Sequence, residues 1–274
     1  MMDTSQIPLN NDEQRTRTTE VKPSQSVVGV LLVHGLNGSK RDMEELATHL
    51  ASTGIITRNI LLPGHGTHVN DMLPLGWPEW ATAVKQELQL LKQSCDRVFL
   101  IGHSLGGALC LHAAAHEQVA GIVAICAPLY MHPHMLSLVR LVKRITPMLP
   151  TIREDVCDRA ARRRYTRDVY RWTPMAPLES MLLYLPRLRE ELPRITAPAL
   201  IMTSRYDHVV PARDGYAIYH LIGSEEKHII TFYRSYHLLM KDHDREEVFA
   251  KTLAFIQRHI PKNELHTTKV KIKP

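Results

Sequence analysis

Apolar and polar positions along this chain fall into two alternating rhythms. Short runs are largely apolar and rich in branched side chains: Val27 to Val33, Ile55 to Leu61, Val98 to Ile101, Ala120 to Cys126, Ala199 to Thr203 and His228 to Phe232. Such runs predict strands buried on both faces of a parallel sheet. Between them apolar residues recur every three or four positions, as in Met43, Leu46, Ala47 and Leu50, in Trp80, Val84, Leu88 and Leu91, and in Val248, Phe249, Leu253 and Ile256. That spacing predicts helices with one inward stripe. Ser39, with Asp42 three residues on, predicts a capped helix start, and Gly54 its end. Strand and helix in strict alternation predict an α/β fold: a mostly parallel central sheet flanked by helices.

The alternation breaks between Leu129 and Leu192. No strand pattern appears there, only helical patches: Met135, Leu138, Val139, Val142 and Ile145, then an Arg-rich stretch, then Met181 to Leu188, punctuated by prolines. The pattern therefore divides the chain into a polar leader (1–25), a core (26–128 and 193–260), a helical cap inserted into it (129–192) and a basic tail (261–274).

Composition narrows the class without changing the picture. With 274 residues, 44% hydrophobic and 23% charged, the chain can bury one full core, and no apolar run approaches the roughly 18–20 residues of a membrane span. The polar N-terminus lacks a signal-peptide pattern, so the expected location is cytoplasmic. Cys95, Cys110, Cys126 and Cys157 have no pairing or metal-ligand spacing and read as free thiols. The net charge of +6 is concentrated in Arg153 to Arg171 and Lys262 to Lys273, without the interleaved aromatics of a nucleic-acid site. The expectation is a solvated basic face with at most transient lipid-surface contact: no nucleic-acid partner and no stable membrane insertion. The oligomeric state is not legible.

The chemistry lies at the strand ends. The run Val98 to Ile101 leads into Gly102-His103-Ser104-Leu105-Gly106-Gly107, a Gly-x-Ser-x-Gly turn between strand and helix. In such an elbow a side chain at either flanking glycine would strike backbone, and the helix beginning after Ser104 directs its positive end at the hydroxyl. An alcohol needs a base, and the base an anion to orient it. Ligands bind at the carboxyl ends of parallel strands. His237 follows the last strand and Asp207 the one before it, so Ser104, Asp207 and His237 stand in the chain order of an α/β catalytic triad. Asp214 and Asp242 are rival acids and His208 a rival base. The oxyanion donors implied are the backbone N–H of Leu105 and, from the loop His34-Gly35-Leu36 after the first strand, that of Leu36. His65, His68, His132 and His134 lack a Cys or carboxylate partner at ligand spacing, so no metal site is expected.

These residues resemble the α/β-hydrolase superfamily, and within it the small carboxylesterases and monoacylglycerol lipases. The resemblance spans about Val27 to Ile260 and rests on Leu32-Val33-His34-Gly35, Leu62-Pro63-Gly64-His65-Gly66, Trp77 with Trp80, the elbow, Asp207-His208-Val209-Val210-Pro211 and Ser235-Tyr236-His237. It implies hydrolysis of a carboxylic ester through an acyl-enzyme without a cofactor, with Ser104 as nucleophile, Asp207 as acid, His237 as base, and Leu36 and Leu105 as oxyanion donors. Family members commonly have a small residue where Tyr236 stands.

Met135, Leu138, Val139 and Val142 are candidates to line an acyl channel, which would suit short-to-medium acyl esters, monoacylglycerols included. The same machinery supports thioester, lactone or carbon–carbon hydrolysis and acyl transfer, and a non-catalytic ligand-binding homologue is the alternative from another class.

Overall fold

The computed structural model describes residues 26–151, 155–164 and 171–260, so the expected leader and basic tail, and part of the Arg-rich stretch, lie outside the described residues. In chain order, β1 (Val28–Val33) leads through α1 (Lys40–Ala51) to β2 (Ile56–Ile60), and α2 (Trp77–Lys92) leads to β3 (Arg97–His103). Then come α3 (Leu105–His116) and β4 (Gly121–Ile125). The insert follows, with α4 (Met135–Lys143), β5 (Met148–Pro150), α5 (Arg159–Arg164), β6 (Trp172–Pro174) and α6 (Met175–Glu191). The chain closes with β7 (Ala199–Ser204), α7 (Ala212–Leu221), β8 (Lys227–Phe232) and α8 (Arg245–Arg258).

Six strands form one sheet in the order β2-β1-β3-β4-β7-β8, every neighbouring pair parallel. Successive side chains of each strand enter opposite layers, as the strand period requires. Leu31 and Val33 of β1 and Val98 and Leu100 of β3 pack with α2, α3 and α6, whereas Val30, Leu32, Phe99 and Ile101 pack with α1 and α8. The continuous apolar runs are thus explained by a sheet covered on both faces. The predicted cap of α1 is present: Ser39 accepts from Arg41 N–H, and Asp42 returns a bond to the Ser39 N–H.

The strand order reverses at β1, whose neighbours are β2 on one side and β3 on the other. A crevice opens beyond the carboxyl ends of parallel strands at such a switch point. The loop after β1 and the turn after β3 both emerge there.

The insert departs from its sequence pattern in one respect. Met148-Leu149-Pro150 pairs antiparallel with Trp172-Thr173-Pro174, a two-strand hairpin where only helix was expected. Proline at the end of each strand hides this pairing, since proline cannot donate to a ladder. Two buried carboxylates tie the insert to the core. Asp214 Oδ2 accepts from the N–H groups of Leu129, Tyr130 and Met131 at 2.8, 3.0 and 2.9 Å. Asp242 accepts from Cys157 and Asp158 N–H at 2.6 and 2.8 Å and also from Tyr236 N–H at 2.8 Å. These two carboxylates, rivals for the acid role by sequence, are occupied as clips, Asp214 at the start of the insert and Asp242 near its middle. No described helix is long and apolar enough to cross a membrane.

Candidate active site

Ser104 caps the N-terminus of α3 with φ 53° and ψ −122°, a conformation that costs a non-glycine residue about 1–3 kcal/mol. Its surroundings hold it there. A Cβ on Gly102 would lie 2.2 Å from Gly106 O, and one on Gly106 would lie 2.2 Å from Val33 O, so the elbow closes only with glycine at both positions. Ser104 N–H donates to Ile125 O at 2.9 Å, tying the turn to the end of β4.

The loop after β1 approaches the same point. A Cβ on Gly35 would sit 3.1 Å from Ser104 Cβ and 3.2 Å from His103 Nδ1, tighter than ordinary contact. His34 beneath it is fully buried, accepting from Leu62 N–H on Nε2 at 3.1 Å, with Nδ1 2.8 Å from Gly35 O. Burial first, then the neighbouring His65, brings the His34 pKa down to about 3. His65 itself is lowered to about 4 by burial. A neutral His34 with one donor and one acceptor nitrogen therefore braces the loop that carries Leu36. Leu36 lines the cleft beside Ser104, and Leu105 is the buried first residue of α3, where backbone N–H groups have no intrahelical partner.

Asp207 and His237 meet at the far side. His237 Nδ1 lies 2.7 Å from Asp207 Oδ2, and both side chains are almost wholly buried. Asp207 Oδ1 accepts from the N–H groups of Val209 and Val210 at 2.7 and 2.8 Å. Burial pushes the Asp207 carboxyl up, but His237 and these two N–H groups outweigh it and hold the group below the usual carboxylate value. The Tyr236 ring turns away onto His208, 4.5 Å between centroids, so the large residue before the histidine is accommodated and the rival base is engaged elsewhere.

Two further residues enter the site that the sequence did not single out. His103 Nε2 is 3.1 Å from His237 O, and its ring lies 4.6 Å from the His237 ring. Burial, then His237, lowers its pKa to about 3. Cys126 takes φ 48° just beyond β4, and its buried thiol hydrogen-bonds Asp207. Burial and then the Asp207 charge push the thiol pKa far up, so Cys126 donates. An apolar strand context had made it resemble a core cysteine; the extended spacing between Cys126 and Asp207 carried no signal of their contact.

Ser104, His237 and Leu36 line one cleft of about 1010 Å³, part of it open to solvent. Of the four residues expected along an acyl channel only Met135 lines it. Leu138 is more than half exposed, Val139 is buried in the core, and Val142 packs against that core. On α4, Val139 and Val142 turn to the core, Leu138 faces solvent, and only Met135 in the first turn reaches the opening. The apolar lining comes instead from Met131, Leu178, Met181, Val209 and Val210. Leu178 and Met181 sit one turn apart on α6, a spacing visible in the sequence but without a signal of which way it faced.

The family described as serine aminopeptidase, S33, matches residues 24–244. A thermostable monoacylglycerol lipase from Bacillus sp. (strain H-257) is 34% identical, over 85% of this chain and 91% of that protein. A carboxylesterase from Bacillus subtilis (strain 168) is 24% identical, over 84% and 92% respectively. Among solved structures, one of two metagenome-derived lipolytic enzymes, LipS and LipT, superposes with a TM-score of 0.80 at 34% identity, covering 86% of this chain and 95% of that one.

Proposed function

Since this chain belongs to the serine aminopeptidase S33 family of α/β-hydrolases, we propose that it hydrolyses carboxylic esters through an acyl-enzyme formed on Ser104. The observation that carries the reading is the 2.7 Å pairing of His237 with Asp207 in the cleft that Ser104 lines from a strained elbow. Its relatives include a monoacylglycerol lipase and a carboxylesterase, which supports the ester over other acyl substrates.

The mechanism follows from the donors. With Nδ1–H given to Asp207, the basic nitrogen of His237 is Nε2, and it takes the Ser104 proton as the oxygen attacks the ester carbon. The oxyanion is held by the N–H groups of Leu36 and Leu105, each worth about 2.7–4 kcal/mol of barrier in comparable enzymes. Collapse breaks the bond to the alcohol, which leaves with the proton from His237. Water then repeats the sequence on the acyl-enzyme and frees the acid. Asp207 stays ionised throughout, and neutral His103 beside His237 spares the imidazolium a second positive charge.

The insert, acting as a cap, supplies Met131, Met135 and Met181, adaptable apolar side chains suited to a flexible acyl chain. The substrate class proposed is short-to-medium acyl monoesters, monoacylglycerols included. A chain-length series of 4-nitrophenyl esters and 1-monoacylglycerols, with an aminoacyl-4-nitroanilide for comparison, tests this on the wild type and Ser104→Ala. The expected optimum falls between about 6 and 12 acyl carbons, with activity lost in Ser104→Ala. An acetyl optimum, or faster amide than ester turnover, overturns the substrate reading.

A further inference from the structure

Away from the cleft, the far end of the helix that begins at Ser104 gathers a second cluster. His112 and His116 lie one turn apart on α3, with ring centroids 4.8 Å apart, and face the last residue of α6. His112 Nδ1 is 2.7 Å from Glu191 Oε2, and His116 Nε2 is 3.3 Å from Glu191 Oε1. We propose that His112, His116 and Glu191 form a binding site for a divalent transition-metal ion of the zinc class, clipping the nucleophile helix to the last helix of the insert.

The donor set and its spacing fit such an ion. Two imidazoles and a carboxylate suit Zn²⁺, Co²⁺ or Ni²⁺, and histidines at i and i+4 present both rings on one helix face. A tetrahedral ion with ligands at 2.0–2.1 Å separates neighbouring donors by about 3.3 Å. The His116–Glu191 separation of 3.3 Å matches that figure, the His112–Glu191 separation of 2.7 Å is shorter and must open slightly to seat an ion, and all three ligand atoms lie within 4.8 Å of one another. The Glu191 carboxylate is held in place: Tyr184 OH donates to Oε1 at 3.0 Å, and the Tyr184 ring is itself stacked on Trp77 at 4.2 Å. Hydrogen-bonded support of a ligating carboxylate is a regular feature of metal sites. Access is available on the other side, where the His116 side chain is 39% exposed. The competing cation is Arg187, whose Nε lies 3.4 Å from Glu191 Oε1. Its side chain is 70% exposed and can swing into solvent. Glu191 stands 79 residues from His112, so the sequence shows the His112–His116 pair but not the carboxylate that completes the cluster.

The test is a Co²⁺ titration of the untagged protein, read by visible absorption, with Zn²⁺ competition. Wild type is expected to bind one Co²⁺ with tetrahedral bands that Zn²⁺ removes and Ca²⁺ does not. His116→Ala should weaken binding about tenfold or more and Tyr184→Phe by about tenfold, as loss of ligand support does. Arg187→Ala, by removing the rival cation, should tighten it. Zn²⁺ should raise the unfolding temperature of wild type but not of His116→Ala, with ester turnover unchanged because His112 lies about 12 Å along the helix from Ser104. Absence of Co²⁺ bands overturns the proposal, and so does binding that survives in His116→Ala. Binding that abolishes turnover also overturns it, since it would place the ion on the second cluster, Cys126, Asp207 and His237.

Discussion

The two walls of the cleft are built on opposite principles. The core wall, made of the Gly35–Leu36 loop, the Ser104 elbow, Asp207 and His237, has strained backbone, glycines without room for a Cβ, and buried polar groups whose partners are fixed. The insert wall is made of Met131, Met135, Leu178 and Met181, apolar side chains held to the core at a distance by the Asp214 and Asp242 clips. On the proposed mechanism one wall places reacting atoms and tolerates little, while the other shapes the space beside them and tolerates much. Substitutions on the two walls should therefore differ by orders of magnitude and in kind.

The largest effect is expected from Asp207→Asn, which keeps the shape but orients the wrong tautomer of His237. It should lower kcat by about 10⁴-fold with little change in KM, measured by steady-state kinetics on the best ester. A loss under tenfold would mean that Asp214 or Asp242 serves as the acid instead. Gly35→Val comes next. The added side chain meets Ser104 and His103 and displaces the Leu36 N–H, so kcat should fall about 10²–10³-fold; unchanged near-ultraviolet circular dichroism would show that the fold survives.

The third expected effect concerns pH and belongs to the core wall alone. His34 and His103, lowered to about 3, and His65, lowered to about 4, are neutral in the folded chain but take up protons on unfolding below pH 6.5. The unfolded state then binds more protons, so stability falls as the pH drops through that window and is insensitive to these groups above it. At pH 5 each should cost about 2 kcal/mol, seen as a steep fall in urea midpoint between pH 6.5 and 4. His65→Gln should flatten that slope by about one third, and an unchanged slope would contradict the burial argument.

On the insert wall the effects are small and selective. Met181→Ala should alter kcat by less than about tenfold and move the acyl-chain optimum to longer chains, because the cavity left behind admits further methylenes. Leu138→Ser, at an exposed position, should change neither chain preference nor stability by more than about 0.5 kcal/mol. A shift in chain preference from Leu138→Ser but none from Met181→Ala would reverse the assignment of the acyl wall.

The same contrast decides what could be read from the chain. The core wall was legible because its demands are local: a serine between two glycines at a strand exit, and an aspartate and a histidine at the ends of successive strands. The packing of α4 was not local. Met135, Leu138, Val139 and Val142 share a helical stripe, yet whether that stripe meets the cleft or the core depends on where α6 lies, and only Met135 reaches the cleft. Asp214 and Asp242 looked like alternative acids because a carboxylate that collects backbone N–H groups carries the same sequence signature as one that orients a histidine. Cys126 was hidden for the same reason: its contact with Asp207 joins strand ends 81 residues apart in sequence, through the register of β4 with β7.

The claim on which the account rests is that Ser104 becomes the covalent nucleophile. Intact-protein mass spectrometry after treatment with a fluorophosphonate, followed by peptide mapping, tests it directly. One adduct per chain on the peptide containing Ser104, absent from Ser104→Ala and slowed in Asp207→Asn, is the predicted result. An adduct on another residue, or ester hydrolysis by a wild-type protein that takes no label, would contradict it.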